Sequence, residues 1–350
     1  MEIYYIFLVI FCLGAAIEKL NVKIGKAIFN VLIVFLIIFL GIRYEVGNDY
    51  TTYYANYLGI NFGTSFVTAK EPLYWLSNYI FSFEIFIFIY GFFTFYLLRK
   101  SIIFFAYSRF LVITLLVYYC LYFVIFNVHL IRQGLAISIV LYSYTYLFKN
   151  EYKKYSLLVL IAFLIHTSAI FCLPFGFLFN KNIKLKYQIG LLIVSILIAL
   201  NSSIFTNLFY SIASSLPYLN SYLEIYRVGE LENYGLSTGI IFDICLLVFF
   251  MFNIKKLNAK ERFLYNIFFI SVILSLLLII NPAALRLNYY FRISNIFLLP
   301  LIYIYFKNKM IPFLIIIVIS VTYLIISFST EGTYGRGDRN LNYKTIFNKQ

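Results

Sequence analysis

Arg43, Arg132, Arg286 and Arg292, the chain's two histidines His129 and His166, and Asp49 are the side chains here whose types and placing could do chemistry. Guanidinium forks hold phosphate or carboxylate bidentately and do not deprotonate. Each of these arginines falls at the boundary of an apolar run. Arg132 lies in Asn127–Leu135 (Asn-Val-His-Leu-Ile-Arg-Gln-Gly-Leu), with His129 and Gln133 beside it at the approach to the apolar run Ala136–Phe148. On one helix His129 and Arg132, three apart, would share a face. An arginine at the end of a membrane span is either an anchor or part of a site. His166 stands with Thr167 and Ser168 inside another apolar run, and imidazole is the natural proton carrier near neutral pH. Asp49 follows a Gly47-Asn48 turn, where it can cap a short helix bearing Tyr53 and Tyr57 or serve as a general base. Glu45 is the weaker carboxylate and is expected to pair with Arg43. The stretch Arg286-Leu-Asn-Tyr289-Tyr290-Phe-Arg292 sets Arg286 and Tyr290 four apart and Tyr289 and Arg292 three apart, either as an interfacial belt or as a site.

The elements that must hold these residues are membrane helices. The chain is 63% hydrophobic and 12% charged, with a mean hydropathy of +0.90, against about 25% charged in a soluble protein. The fold class is an all-α polytopic integral membrane protein with roughly 10–12 spans. Candidate spans are Ile3–Ile17, Ala27–Ile42, Ile80–Leu98, Phe110–Phe126, Ile131–Phe148, Tyr155–Phe179, Ile189–Leu200, Thr238–Phe252, Phe263–Ile280, Ile293–Phe306 and Ile311–Phe328. The first lacks a basic leader and a cleavage site, so it is expected to remain as a helix. Residues 1–328 read as one multi-span domain and 329–350 as a polar C-terminal tail. Cys12, Cys120, Cys172 and Cys245 lie in apolar runs without metal-ligand spacing and read as buried thiols.

Orientation follows from charge. The net charge of +14 is concentrated in short loops, as the positive-inside rule requires, and not in a nucleic-acid patch. Lys19, Lys23 and Lys26, then Arg99, Lys100 and Arg109, then Lys149, Lys153 and Lys154 mark one side as cytoplasmic. Lys181, Lys184 and Lys186 break the alternation unless Tyr155–Phe179, with His166-Thr167-Ser168 in its middle and Pro174 beyond, is broken or re-entrant; an extra crossing within Ser203–Tyr226 is the competing repair. Segments 43–72 and 203–237 then form long outer loops, the second amphipathic around Ile204–Leu219. The Pro282–Arg292 turn and the tail with Arg336, Arg339, Lys344 and Lys349 fall on the same outer side. Snorkelling accounts for any one of the boundary arginines alone. Four of them on the outer face oppose the positive-inside bias, and an outer cavity ringed by arginine suits a phosphorylated or carboxylated ligand.

These patterns together resemble the EpsG-like family of Wzy-type bacterial polysaccharide polymerases. The residues that carry the resemblance are Gly41-Ile-Arg43-Tyr44 with Val46-Gly47-Asn48-Asp49-Tyr50, Tyr53 and Tyr57; Glu71-Pro72-Leu-Tyr74; Ile131-Arg132-Gln133-Gly-Leu-Ala136-Ile-Ser138; Phe163-Leu-Ile-His166-Thr-Ser168-Ala169; and Arg286-Leu-Asn-Tyr289-Tyr290-Phe. Gly134 stands where alanine or another small residue is commoner, a departure expected to leave the site undisturbed. The resemblance implies a glycosyltransferase of the bacterial cytoplasmic membrane, acting at its outer face. It would transfer a growing glycan from undecaprenyl diphosphate to the hydroxyl of an incoming lipid-linked repeat of capsule, exopolysaccharide or O-antigen.

On that reading Asp49, His166 and Arg132 are the catalytic candidates. Arg43, His129, Gln133, Arg286, Tyr289, Tyr290, Arg292, Tyr50 and Tyr53 are candidates for holding diphosphate and sugar. No metal and no cofactor are expected. The partners expected are the lipid-linked oligosaccharide, the bilayer, a chain-length regulator and a flippase, and no nucleic acid. The other readings are a lipid-linked oligosaccharide flippase or transporter, which needs charge buried mid-helix, and a membrane O-acyltransferase with a catalytic histidine.

Overall fold

The computed structural model describes residues 2–61, 71–181, 183–201, 236–279, 285–329 and 342–348. The amphipathic stretch Ile204–Leu219, Pro282, and Arg336, Arg339 and Lys349 of the tail lie outside the described residues. Those described form an all-α polytopic membrane protein. Among the described residues five helices are long and apolar enough to cross a membrane: Glu2–Leu20, Val22–Gly41, Phe83–Phe105, Leu111–His129 and Met310–Phe328. The chain divides into two compact units, Met1–Pro174 with Asn295–Gln350, and Phe175–Ser294.

The first unit opens with a helical hairpin, α1 (Glu2–Leu20) and α2 (Val22–Gly41). It turns at Asn21, whose side-chain oxygen takes the Lys23 and Ile24 amides at 3.0 and 3.2 Å and so fills two of the donors a helix start leaves open. At the Gly41 end come two short helices, α3 (Tyr50–Asn61) and α4 (Pro72–Ile80). The long α5 (Phe83–Phe105) then leads back to the Asn21 end, capped at its start by Ser82. Helix α6 (Leu111–Tyr118) returns, continuing as a π-helix over Tyr119–His129. In Leu111–His129, 94% of the residues are buried, against 22–50% in the other four spans, which makes it the axis of the unit.

Two buried side chains, Glu18 and Arg43, hold that axis at its two ends. Glu18 of α1, 1% exposed, accepts the Val112 amide at 2.9 and 3.0 Å and the Ile113 amide at 3.2 Å. At the other end Arg43, 3% exposed, donates Nη1 to the Asn127 and Val128 carbonyls at 2.7 and 2.9 Å. Each side chain meets backbone groups at its end of the axis that the helix cannot pair itself.

The π-helix overturns one expectation. Leu130 (φ −97°, ψ 59°) bonds back to the Ile125 carbonyl, and α7 (Ile131–Phe148) starts afresh after it. His129 and Arg132 therefore belong to two elements and do not share the face of one helix. The same junction makes Gly134 obligatory. A Cβ there would lie 2.2 Å from the Phe126 carbonyl oxygen, so in this chain the position has no room for alanine.

Helix α8 (Tyr152–Ile165) stops at His166, which is extended (φ −149°, ψ 113°), and a 3-10 turn over Thr167–Phe171 follows. The Tyr155 hydroxyl donates to the Cys172 carbonyl at 2.6 Å. The chain climbs ten residues from Tyr155 to Ile165 and is back beside Tyr155 within seven more. This is the re-entrant break expected at His166, with its apex at the histidine.

The basic loops gather at the Asn21 end. Arg99 donates Nε to Asn30 at 2.9 Å, and the Lys149 ammonium lies 5.2 Å from the centre of the Phe104 ring. At the Gly41 end the tail returns to the body. Tyr343 stacks on Phe39 at 4.0 Å and donates to its carbonyl, while the Tyr44 and Ile346 amides bond the Lys344 and Ile42 carbonyls. Glu45 pairs at the surface with Lys344 at 3.3 Å, not with Arg43.

In the second unit α9 (Cys172–Phe179), which begins in the first, leads to α10 (Leu185–Leu200), α11 (Thr238–Phe252) and α12 (Ala259–Leu277). Asn258 and Glu261 form a reciprocal capping box at the start of α12. Gln188 of α10 accepts the Tyr265 hydroxyl, and Asn266 donates to the Phe179 and Lys181 carbonyls. Cys245 is exposed on α11 and Cys12 half-buried on α1, so only Cys120 and Cys172 are the buried thiols expected.

Candidate functional site

Glu71 is the centre of a polar cluster in the first unit, and sequence reasoning did not name it as a site residue. It precedes Pro72 at the start of α4, and proline fits the first helical position because no amide is needed there. Its Oε2 accepts Arg132 Nη1 at 2.5 Å, and its Oε1 lies 2.8 Å from His166 Nδ1 and accepts the Thr167 amide at 3.2 Å. One carboxylate thus ties the start of α4, the start of α7 and the re-entrant apex together.

Each partner is placed by a local feature already described. Arg132 is the second residue of α7 because the π-helix ends at Leu130. His166 is available because α8 terminates in it. A guanidinium in the first turn of a helix opposes the macrodipole, at about 0.3–1 kcal/mol. A hydrogen bond to a charged group is worth about 1.5–3 kcal/mol, so Glu71 outweighs the dipole and fixes the arginine there.

Two tyrosines complete the setting of Arg132. Its guanidinium carbon lies 4.5 Å from the Tyr74 ring centre and 5.4 Å from that of Tyr53. Both rings are buried, at 0% and 3% exposed. Arg132 side-chain exposure is 27% and that of His166 24%, against 12% for Glu71, so the carboxylate is inside and its two partners reach outward. The contact with Glu71 is made by His166 Nδ1, and Nε2 takes no part in it.

The proton affinities follow from this packing. Burial pushes the Glu71 carboxyl up, but the hydrogen bond with His166, the Arg132 charge and the Thr167 amide outweigh it and hold the pKa below the ordinary 4.5. Glu71 is therefore an anion at neutral pH. Burial raises the Tyr53 phenol to about 12, against the pull of Arg132, and raises that of Tyr74. Both tyrosines are neutral donors and ring platforms.

The other candidates fall out as follows. Arg43 holds the π-helix carbonyls and is enclosed. His129 accepts the Asn48 amide on Nδ1 at 3.1 Å, which pins the first outer loop against the end of the π-helix. Gly47 allows that approach, with φ +100° and no room for a Cβ beside the Val128 carbonyl. Asp49 heads α3 at half-burial, its carbonyl accepting the Tyr53 amide at 2.9 Å. Tyr50 is buried edge-on against Phe83, and Gln133 is buried within α7.

In the second unit Arg286 is exposed, Tyr289 half-buried and Tyr290 fully buried. Arg292 Nε donates to Asp243 Oδ2 at 2.5 Å, and Asp243 is 1% exposed. The acid on α11 was not singled out in the sequence. Arg292 is neutralised by it, a pairing that a buried charge requires.

Of the twelve candidates the structure brings Arg132, His166 and Tyr53 together and adds Glu71 and Tyr74 to them. The signal for the additions was present, since both residues lie in the short Glu71-Pro72-Leu-Tyr74 motif. A family model described as the EpsG family matches residues 26–345. No curated protein and no solved structure matches the chain.

Proposed function

This chain belongs to the EpsG family, and from that premise we propose that it polymerises undecaprenyl-diphosphate-linked oligosaccharide repeats at the outer face of the bacterial cytoplasmic membrane. The family is one of polysaccharide polymerases, so the class of reaction comes with membership. The observation that supports a chemical reading is the Glu71 carboxylate bridging Arg132 and His166.

In this reading Glu71 orients the His166 ring through Nδ1, leaving Nε2 to take the proton of an acceptor sugar hydroxyl. The hydroxyl oxygen bonds to the anomeric carbon of the growing glycan as the bond from that carbon to the lipid diphosphate breaks. The electron pair leaves with the diphosphate, and Arg132 meets the developing charge. Tyr53 and Tyr74 keep the guanidinium flat and in place, so it need not reorganise as that charge appears. Charge supports the outer side. The cluster lies at the Gly41 end, away from the lysines and arginines expected in the cytoplasm.

The test is the fate of the repeats. Arg132→Ala is expected to insert at full length and to leave single repeats on the lipid carrier. Gel analysis of lipid-linked and polymeric glycan reads this directly. Long-chain polysaccharide persisting in this variant removes the arginine mechanism. Single repeats trapped on the cytoplasmic side instead would favour a flippase.

A further inference from the structure

The geometry points to α4 as the place where the polyprenyl tail of the lipid carrier docks. The inference deepens the polymerase reading and rests on it. Helix α4 has nine residues, about 13 Å, far less than the ~30 Å needed to cross a bilayer core. Its two faces differ completely. Tyr74 and Asn78 are fully buried against the unit, while Pro72, Trp75, Leu76, Tyr79 and Ile80 are exposed without a charged residue among them. Trp75 and Tyr79, one turn apart, stack at 5.5 Å with an interplanar angle of 4°. Tryptophan and tyrosine are the side chains that settle where acyl chain meets headgroup.

Two features single this face out from the rest of the lipid-facing surface. It begins at the residue after Glu71, so its first turn adjoins the cluster that would hold the diphosphate. It is also continuous with a membrane span, since α5 begins three residues after α4 ends and exposes Ile85, Phe88 and Phe92. A carrier with its diphosphate at Arg132 then has an apolar path for its tail along α4 and down α5, broken only at the turn by exposed Ser82 and half-buried Glu84. The occupant is a polyisoprenoid chain attached to a diphosphate. A diphosphate without its tail would gain nothing from this face.

Trp75 is the chain's single tryptophan, so the fluorescence of the unaltered protein reports this face alone. The experiment reconstitutes the protein in vesicles of phospholipid brominated near the top of the acyl chain. Expected are strong quenching of Trp75 by bromolipid, little quenching by aqueous iodide, and loss of most of the bromolipid quenching when undecaprenyl diphosphate is added. Inorganic diphosphate is expected to leave the quenching unchanged. Quenching by iodide and not by bromolipid would place α4 in water and overturn the inference. Bromolipid quenching that undecaprenyl diphosphate leaves unchanged would show ordinary boundary lipid and also overturn it, as would relief by inorganic diphosphate alone. Polymerisation by a protein whose Trp75 fails this test overturns only the docking face. Relief by the carrier in a protein that makes no polymer overturns the polymerase reading and leaves the docking face standing.

Discussion

Replacing Glu71 by glutamine is expected to lower the polymerisation rate by about 100-fold or more, the span of a general base that has lost its support, while the protein still inserts at full length. The shape of the side chain is kept, but only one of its two acceptor oxygens. Arg132 Nη1 and the Thr167 amide are donors, and His166 Nδ1 shares an oxygen with Thr167. An amide NH2 must therefore face one donor group, and either the guanidinium or the imidazole side loses its partner. The pH dependence gives a second readout. The Glu71 pKa is lower folded than unfolded, so its pairing adds stability above the unfolded value of 4.5 and loses it as pH falls through the lowered folded value. The melting temperature of the native protein minus that of Glu71→Gln should shrink as pH falls below about 4.5. Near-native polymer from Glu71→Gln would rule out His166 as a base oriented by this carboxylate.

The second large effect lies away from the chemistry. Gly134→Ala is expected to destabilise the protein by about 3 kcal/mol or more, at or beyond the upper end of ordinary overpacking. The added methyl meets the backbone oxygen of Phe126 at 2.2 Å, and neither backbone can step aside as a side chain would. Phe126 lies in the π-helix and Gly134 in the first turn of α7, so relief would have to move Arg132. Gly190→Ala in α10 is the control. Nothing lies within 4 Å of the new Cβ, and helix propensity favours alanine by about 1 kcal/mol. Thermal unfolding in detergent checks both. Equal melting temperatures for the two variants would mean that the π-helix to α7 junction is not packed as described.

Much of the frame could be read from residue order, because membrane class depends on runs of apolar residues and these are local. The interruption at His166 was legible for the same reason, as His-Thr-Ser cannot continue a lipid-facing helix unaided. The separation of His129 from Arg132 was not. The π-helix differs from an α-helix only in how its amides pair, and no residue in Tyr119–His129 announces the wider turn. Arg43 misled for a related reason, since backbone carbonyls as partners leave no mark in sequence. Glu71 is bound to residues 61 and 95 positions away, so its role depends on tertiary contact alone. Asp243 is the same case at a distance of 49 positions from Arg292.

Glu18 and Arg43, gripping the two ends of the central span, bear on how the protein answers its bilayer. A helix of mismatched length commonly adjusts by tilting or sliding at a cost of fractions of a kcal/mol per Å. Leu111–His129 cannot slide without pulling one of two buried side chains off the backbone groups it serves. Mismatch must then be absorbed by the outer spans, above all Met310–Phe328, the least buried of the five. Polymerisation should accordingly vary little with acyl-chain length in reconstituted vesicles, and Glu18→Gln should make it thickness-sensitive. The spacing between the cluster at Arg132 and the far side of the membrane is set by protein and not by lipid.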